Sequence, residues 1–124
     1  MISLPLPDPL LTLGDITLRS WQPSDVHLLV SAWEDEEVRR WTSVPPDADF
    51  ERAKKWIEGC GRRQNSGIAL DLVIDEGGIG IGEVGLSDFD FSRRTALFGW
   101  WISAHARGRG LATLATELFV SWAF

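Results

Sequence analysis

The chain has 124 residues, 44% hydrophobic and 24% charged, a balance typical of one water-soluble globular domain. No apolar run reaches the roughly eighteen residues of a membrane span, and the amino end lacks the basic and apolar regions of a signal peptide, which favours a cytoplasmic location. The single cysteine, Cys60, excludes an internal disulfide and a cysteine-rich zinc site, and no metal is expected.

The net charge of −6 is unevenly distributed along the sequence. Residues 1–90 hold eight basic and seventeen acidic side chains, whereas residues 91–124 hold four arginines and one glutamate. The acidic part repels polyanions, which argues against a nucleic-acid partner, and it suits a cationic partner such as an amine or a basic peptide. The alternative is an acidic surface that only aids solubility.

The first half of the chain predicts one strand followed by two helices. Residues 16–19 alternate as a strand, and Ser24 is expected to cap the first helix. Asp47 or Asp49 is expected to cap the second helix, which Gly59 and Gly61 end. The apolar faces of the two helices repeat at helical spacing and comprise Val26, Leu29, Val30 and Trp33, and Phe50, Ala53, Trp56, Ile57 and Cys60.

The second half predicts three strands and a helix. Residues 68–74 and 79–86 alternate around the turn at 76–78 and predict a β-hairpin. Residues 87–94 then form a polar connection to the apolar run 95–103, which predicts a mostly buried strand. A last helix has an apolar face of Leu111, Leu114, Ala115, Leu118, Phe119 and Trp122. The predicted order of an α/β domain is therefore βααβββα.

Tryptophans are numerous, and most are expected to pack in the core. Trp33, Trp56 and Trp122 lie on apolar helix faces. Trp100 and Trp101 are adjacent in a strand and point to opposite sheet faces, so one is expected in the core and the other is a candidate for a binding cleft.

The most informative segment is the basic, glycine-containing loop from His105 to Ala112, between the last strand and the last helix. A helix start offers backbone N–H groups without intrahelical partners and the positive end of the helix dipole. Gly108 and Gly110 let the backbone approach a ligand closely, and two arginines add positive charge. The segment therefore predicts a phosphate-binding loop.

Four segments in the right order resemble the amino-terminal part of the Gcn5-related N-acetyltransferase (GNAT) superfamily. They are residues 18–25 (LRSWQPSD), 81–86 (IGEVGL), 98–102 (FGWWI) and 107–112 (RGRGLA), the last fitting the family's acetyl-CoA signature. Within the superfamily, the chain is similar to the RimJ/RimL-type ribosomal-protein branch. The resemblance implies a single GNAT-like domain over residues 1–124, an α+β fold with a mixed, mostly antiparallel sheet flanked by helices.

The same resemblance implies transfer of an acetyl group from acetyl-CoA to a primary amine, on a protein N-terminus or a small molecule, by direct attack. The cofactor-binding residues implied are Trp101, Ile102 and Ser103 beside the pantetheine arm, and Arg107, Gly108, Arg109, Gly110, Leu111 and Ala112 around the pyrophosphate. Glu83 is the first candidate for the general base, with Asp88 and Asp90 behind it. A surface carboxylate without a catalytic role is the alternative for each.

The chain departs from the family pattern at its end, because Phe124 falls inside the helix that follows the phosphate loop. The carboxyl-terminal part of the fold is therefore expected to be missing, as in a fragment, a chain completed by another polypeptide, or a protein that has lost catalysis. Two other functions remain open: a catalytically inactive acyl-CoA-binding module and an interaction domain. The uncovered sheet edge also predicts a homo-oligomer.

Overall fold

A five-stranded antiparallel sheet organises the chain, with the strands side by side in sequence order. The structure, a computed structural model, describes residues 4–7, 11–41, 44–45 and 48–123. The strands are β1 (Leu11–Leu13), β2 (Ile16–Ser20), β3 (Ala69–Glu76), β4 (Ile79–Asp90) and β5 (Thr95–Ile102). The helices are α1 (Val26–Glu34), α2 (Glu36–Trp41), α3 (Phe50–Glu58), α4 (Cys60–Asn65) and α5 (Leu111–Ala123).

Helices cover both faces of the sheet, which gives two hydrophobic clusters. On one face α5 packs Phe119 against Leu72 and Val84, and all three side chains are buried. On the other face α1 and α3 pack against β3 through Val73, which is also fully buried. Because neighbouring residues of β3 face opposite clusters, this strand contributes apolar side chains to both sides of the sheet. The predicted sheet flanked by helices is confirmed.

The helices begin and end at different residues from those predicted. A 3-10 turn (Pro23–Asp25) precedes α1, and the buried carboxylate of Asp25 accepts the backbone N–H of Gln22, so Ser24 is not the cap. Asp49 accepts the N–H of Arg52 and caps α3, as predicted, whereas Asp47 lies outside the described residues. Gly59 separates α3 from α4, but Gly61 lies within α4 rather than ending a helix.

Asp35 separates α1 from α2, a second helix that lies beyond the apolar face predicted for the first one. Its backbone is extended (φ −79°, ψ 123°), and its carboxylate accepts the N–H of Glu37 at 2.9 Å, so it starts a new helix. With this break, the break at Gly59 and the added strand β1, the element order is ββααααβββα instead of βααβββα. The strand β1 is only three residues long and carries too short a pattern to be predicted.

The last two strands also differ from the prediction in extent and burial. The strand β4 continues to Asp90 through an irregularity after Ser87, so the first half of the expected polar connection is strand. The strand β5 lies at the edge of the sheet, and only Trp101 and Ile102 are buried in it. The prediction of a mostly buried strand is therefore wrong, because most of the apolar side chains of β5 are partly or fully exposed at the edge of the sheet.

Candidate active site

The loop between β5 and α5 presents a row of unused backbone donors. A 3-10 turn (Ala104–Ala106) leads into residues 107–110, and the first helical hydrogen bond of α5 runs from Leu114 N–H to the Gly110 carbonyl at 3.2 Å. Among the hydrogen bonds of the described residues, none uses the N–H groups of residues 108–113. Gly108 (φ 80°) and Gly110 (φ 73°) hold the left-handed conformation that glycine tolerates best.

These donors lie beside an open cavity of about 650 Å³, a size in the range of cofactor sites. Three elements form its walls: the end of β5, the loop with the first turn of α5, and the start of α2. The lining residues are Glu37 and Val38; Phe98, Gly99, Trp100, Trp101 and Ile102; and Ala106, Arg107, Gly108, Gly110, Leu111 and Ala112. Most of the predicted cofactor residues therefore come together at one cavity.

The two loop arginines are already engaged by carboxylates. Arg107 Nη2 donates to Asp35 at 2.8 Å, and Arg109 makes a bidentate pair with Glu76 at 2.9 and 2.7 Å. Arg107 lines the cavity, whereas Arg109 does not. The carboxylates of Asp35 and Glu76 come from distant parts of the chain and offset much of the positive charge that the sequence places here. The backbone N–H groups are thus the unengaged donors of the loop.

The end of β5 presents backbone groups to the cavity as well as side chains. Ser103 N–H donates to the Ile81 carbonyl at 2.8 Å, which continues the ladder with β4. Because hydrogen-bonded and non-bonded pairs alternate in an antiparallel ladder, Trp101 is bonded to β4 and the backbone groups of Ile102 face the open edge. Trp101 is buried and Trp100 is 51% exposed, as expected from their opposite orientations.

Glu83 lies in β4 opposite Trp101, with a partly buried side chain on the sheet face that α1, α3 and α4 cover. Its carboxylate accepts the indole N–H groups of Trp21 at 2.9 Å and Trp101 at 3.2 Å. Burial, reinforced by the negative charge of Asp71, raises the pKa of Glu83 to about 8. Glu83 does not line the cavity, whereas Trp101, whose indole N–H donates to the Glu83 carboxylate, does.

A polar cluster around Glu83 was not predicted from the sequence. Burial raises the pKa of Asp71, whose carboxylate lies 3.9 Å from Arg63 Nε. The Arg63 guanidinium lies 4.5 Å above the Trp56 ring, and Trp56 contacts Trp21 edge to face at 5.3 Å. Asp71 alternates with apolar residues in β3, a pattern that usually indicates a solvent-facing position, so no sequence signal marked it.

The two other candidate carboxylates are engaged in a turn. Asp90 accepts the Ser92 hydroxyl and the Arg93 N–H, and Asp88 has a positive φ of 49° beside the irregularity in β4. Neither lines the cavity. Across the described ranges, no group of three His, Cys, Asp or Glu side chains is arranged to hold a metal ion, and no helix is long and apolar enough to cross a membrane.

The edge strand of an antiparallel sheet and the start of the next helix thus border one cavity with unused backbone N–H donors. The chain belongs to the acetyltransferase (GNAT) domain family, whose sequence model matches residues 15–124. The resemblance stated from the motifs is thereby confirmed.

Individual proteins agree with this assignment. The uncharacterized N-acetyltransferase p20 of Bacillus licheniformis is 24% identical over 111 residues, which are 88% of this chain and 62% of that protein. The chain thus spans less than two thirds of the length of this curated relative.

Two solved structures share the fold. The microcin C7 self-immunity acetyltransferase MccE, in complex with acetyl-CoA and AMP, has a TM-score of 0.74 and 21% identity, covering 90% of this chain and 67% of that one. A putative ribosomal-protein-serine acetyltransferase from Vibrio cholerae has a TM-score of 0.79 and 17% identity, covering 96% and 68%. They confirm the GNAT-like α+β architecture expected from the sequence.

Proposed function

We propose that this domain binds acetyl-CoA at the loop of residues 107–112 and transfers the acetyl group to a primary amine. The observation that carries the proposal is the row of unused N–H groups of residues 108–113 beside the cavity. A charge-assisted hydrogen bond contributes about 1.5 to 3 kcal/mol, so several of these donors are enough to hold a pyrophosphate without a metal. The acetyl-CoA in the MccE complex supports this choice of ligand.

In the proposed cofactor site, the loop binds the pyrophosphate and β5 binds the pantetheine arm. The backbone of Arg107, Gly108, Arg109, Gly110, Leu111 and Ala112 holds the pyrophosphate at the start of α5. The open edge of β5 at Ile102, flanked by Trp101 and Ser103, offers a donor and an acceptor to the amide groups of the pantetheine arm. Acetyl-CoA supplies an activated thioester, which an amine nitrogen attacks directly as the thiol leaves.

Glu83 is the proposed acceptor of the proton that the attacking amine loses. A pKa of about 8 suits a base that works near neutral pH, since the group is then deprotonated in part and still basic. The carboxylate lies outside the cavity lining and is hydrogen-bonded to Trp101, which lines it, so the proton reaches Glu83 by way of a water molecule or after the Trp101 indole turns.

A cationic amine is the proposed acceptor. Acidic side chains dominate residues 1–90, and Glu37 contributes a carboxylate to the cavity wall. An N-terminal amine has a pKa near 7.7 to 8.0 and is partly neutral at physiological pH, whereas a lysine near 10.4 requires roughly 4 kcal/mol to deprotonate. A protein N-terminus or a small amine of similar pKa is therefore favoured, in a cytoplasmic setting.

The test is thiol release from acetyl-CoA by the purified protein with a panel of amines and alcohols. We expect turnover with amines, weaker at high salt because the acceptor is cationic, and a rate that rises through about pH 8. With an acceptor amine whose own pKa lies well below 8, the Glu83→Gln variant should lose that rise, whereas Glu58→Gln, on the exposed surface of α3, should keep it. Faster acetylation of alcohols than of every amine would refute the amine proposal.

A catalytically inactive acyl-CoA-binding module is the second candidate, and the position of Glu83 outside the cavity lining favours it. Calorimetry separates the two functions: a module binds CoA yet releases no thiol with any member of the panel. Absence of CoA binding would leave the interaction domain as the function.

We further propose that two copies associate through the part of the β5 edge near Leu97. This edge is unpaired among the described strands, and the Leu97 side chain is 59% exposed. Sedimentation should give twice the chain mass for the parent protein and a single chain for Leu97→Glu. The matched control is Leu13→Glu in β1, the other edge strand, where the side chain is 49% exposed. A parent protein that is monomeric at high concentration would contradict this association.

A further inference from the structure

The carboxylate of Asp35 joins two walls of the cavity. One of its oxygens accepts the N–H of Glu37 at 2.9 Å, and the other accepts Arg107 Nη2 at 2.8 Å. Glu37 and Arg107 both line the cavity, the first from α2 and the second from the loop. The chain separates Asp35 from Arg107 by 72 residues, so the contact fixes the position of two elements that are remote in sequence.

The environment of Asp35 keeps this contact charged and ordered. Although partial burial opposes ionisation, the hydrogen bonds from Arg107 and from the backbone N–H groups of Glu37 and Val38 lower the pKa of Asp35. The Asp35 side chain is only 15% exposed and the Arg107 side chain 34%. An ion pair that stays in contact with solvent contributes little to the free energy of unfolding. The Asp35–Arg107 pair therefore matters mainly for where it places the Arg107 side chain.

We propose that Asp35 is a positioning residue for the cofactor site: it holds Arg107 across the cavity mouth and ties the loop to α2. This inference rests on the proposed function. Arg107 donates only Nη2 to Asp35, so its other N–H groups stay available to a phosphate oxygen. An arginine already held in place loses less conformational freedom when the ligand binds, which raises affinity.

Simple electrostatics predicts the opposite effect, and this makes the proposal testable. A carboxylate near an anion site repels the anion, so neutralising it should tighten CoA binding if charge alone mattered. Glu76 provides the matched case, because it pairs with the other loop arginine, Arg109, which does not line the cavity. Removing the charge of Glu76 therefore tests repulsion without altering a cavity wall.

The experiment compares Asp35→Asn with Glu76→Gln by calorimetric titration with CoA. Asparagine also caps helices well, so Asp35→Asn keeps the start of α2 and removes only the charge. We expect the Kd for CoA to rise about five- to tenfold in Asp35→Asn and to stay equal or fall in Glu76→Gln. In the Arg107→Gln background, Asp35→Asn should have no further effect, because Asp35 acts through Arg107.

Hydrogen exchange provides a second readout that does not depend on turnover. In the parent protein, CoA should slow hydrogen exchange at the backbone amides of residues 37–41. In Asp35→Asn, CoA should no longer slow exchange there. Unchanged or tighter CoA binding by Asp35→Asn would overturn the inference while leaving the proposed cofactor site intact. A parent protein that binds no CoA would overturn both.

Discussion

A Gly110→Val variant is expected to bind CoA at least about a hundredfold more weakly than the parent protein. Gly110 has φ 73°, a conformation that a β-branched side chain adopts only with strain, so the loop must change shape. Protein atoms do not occupy the space beside its Cα, which is where the proposed ligand lies. Loss of two charge-assisted hydrogen bonds suffices for a hundredfold change.

The control is Gly14→Val, in the turn that joins β1 to β2. Gly14 has φ 60° and open space beside its Cα, so the substitution causes similar backbone strain without touching the cavity. Both variants should lose comparable stability in thermal unfolding, but only Gly110→Val should lose calorimetric CoA binding. Equal affinity of Gly110→Val and the parent protein would remove the loop from the cofactor site.

The free energy of unfolding is expected to fall on the order of 2 to 4 kcal/mol as pH rises from 5 to 9, because of Glu83. Burial and the charge of Asp71 raise the pKa of Glu83 to about 8 in the folded state, against 4.5 for the ordinary group. Between these two values the folded protein binds more protons than the unfolded chain, so rising pH favours unfolding. The stabilising contribution is complete below pH 4.5 and is lost by about pH 8.

Chemical denaturation of Glu83→Gln at pH 5, 7 and 9 checks this linkage. The glutamine cannot ionise, so its unfolding free energy should vary less with pH than that of the parent protein. The pH dependence that remains comes in part from Asp71, whose pKa burial also raises and the charge of Arg63 partly lowers again. Burial raises the pKa of Cys60 to about 12, so this thiol does not contribute between pH 5 and 9. Glu58→Gln makes the same chemical substitution on the surface and should keep the parent slope; a slope unchanged in Glu83→Gln would contradict the prediction.

The sheet and the loop between β5 and α5 could be predicted because their signals are local. Alternation around the glycines at 77 and 78 predicted the β3–β4 hairpin, and the spacing after Gly110 predicted α5. The helix α2 was missed, although Asp35 followed by two glutamates is a helix-start signal that the sequence carries. The apolar spacing of α1 ends at Trp33, and α2 is too short to show a periodic pattern of its own.

The electrostatics of the site could not be predicted, because they depend on contacts between distant residues. Arg107 and Arg109 suggest a positive loop in the sequence, yet Asp35 and Glu76 reach them from 72 and 33 positions away. The burial of Glu83 likewise depends on indoles from β5 and from the segment after β2. The residue types were visible in the sequence, but which charges meet is decided by the folded chain.

The position of Trp101 gives the protein a built-in optical probe. Its ring lines the cavity, while its indole N–H donates to a carboxylate that changes charge near pH 8. The emission energy of an indole depends on the local electric field, so one chromophore responds both to a ligand in the cavity and to ionisation behind it. The part of the fluorescence spectrum that is lost in a Trp101→Phe variant would follow cofactor occupancy and the protonation of Glu83 in the same sample.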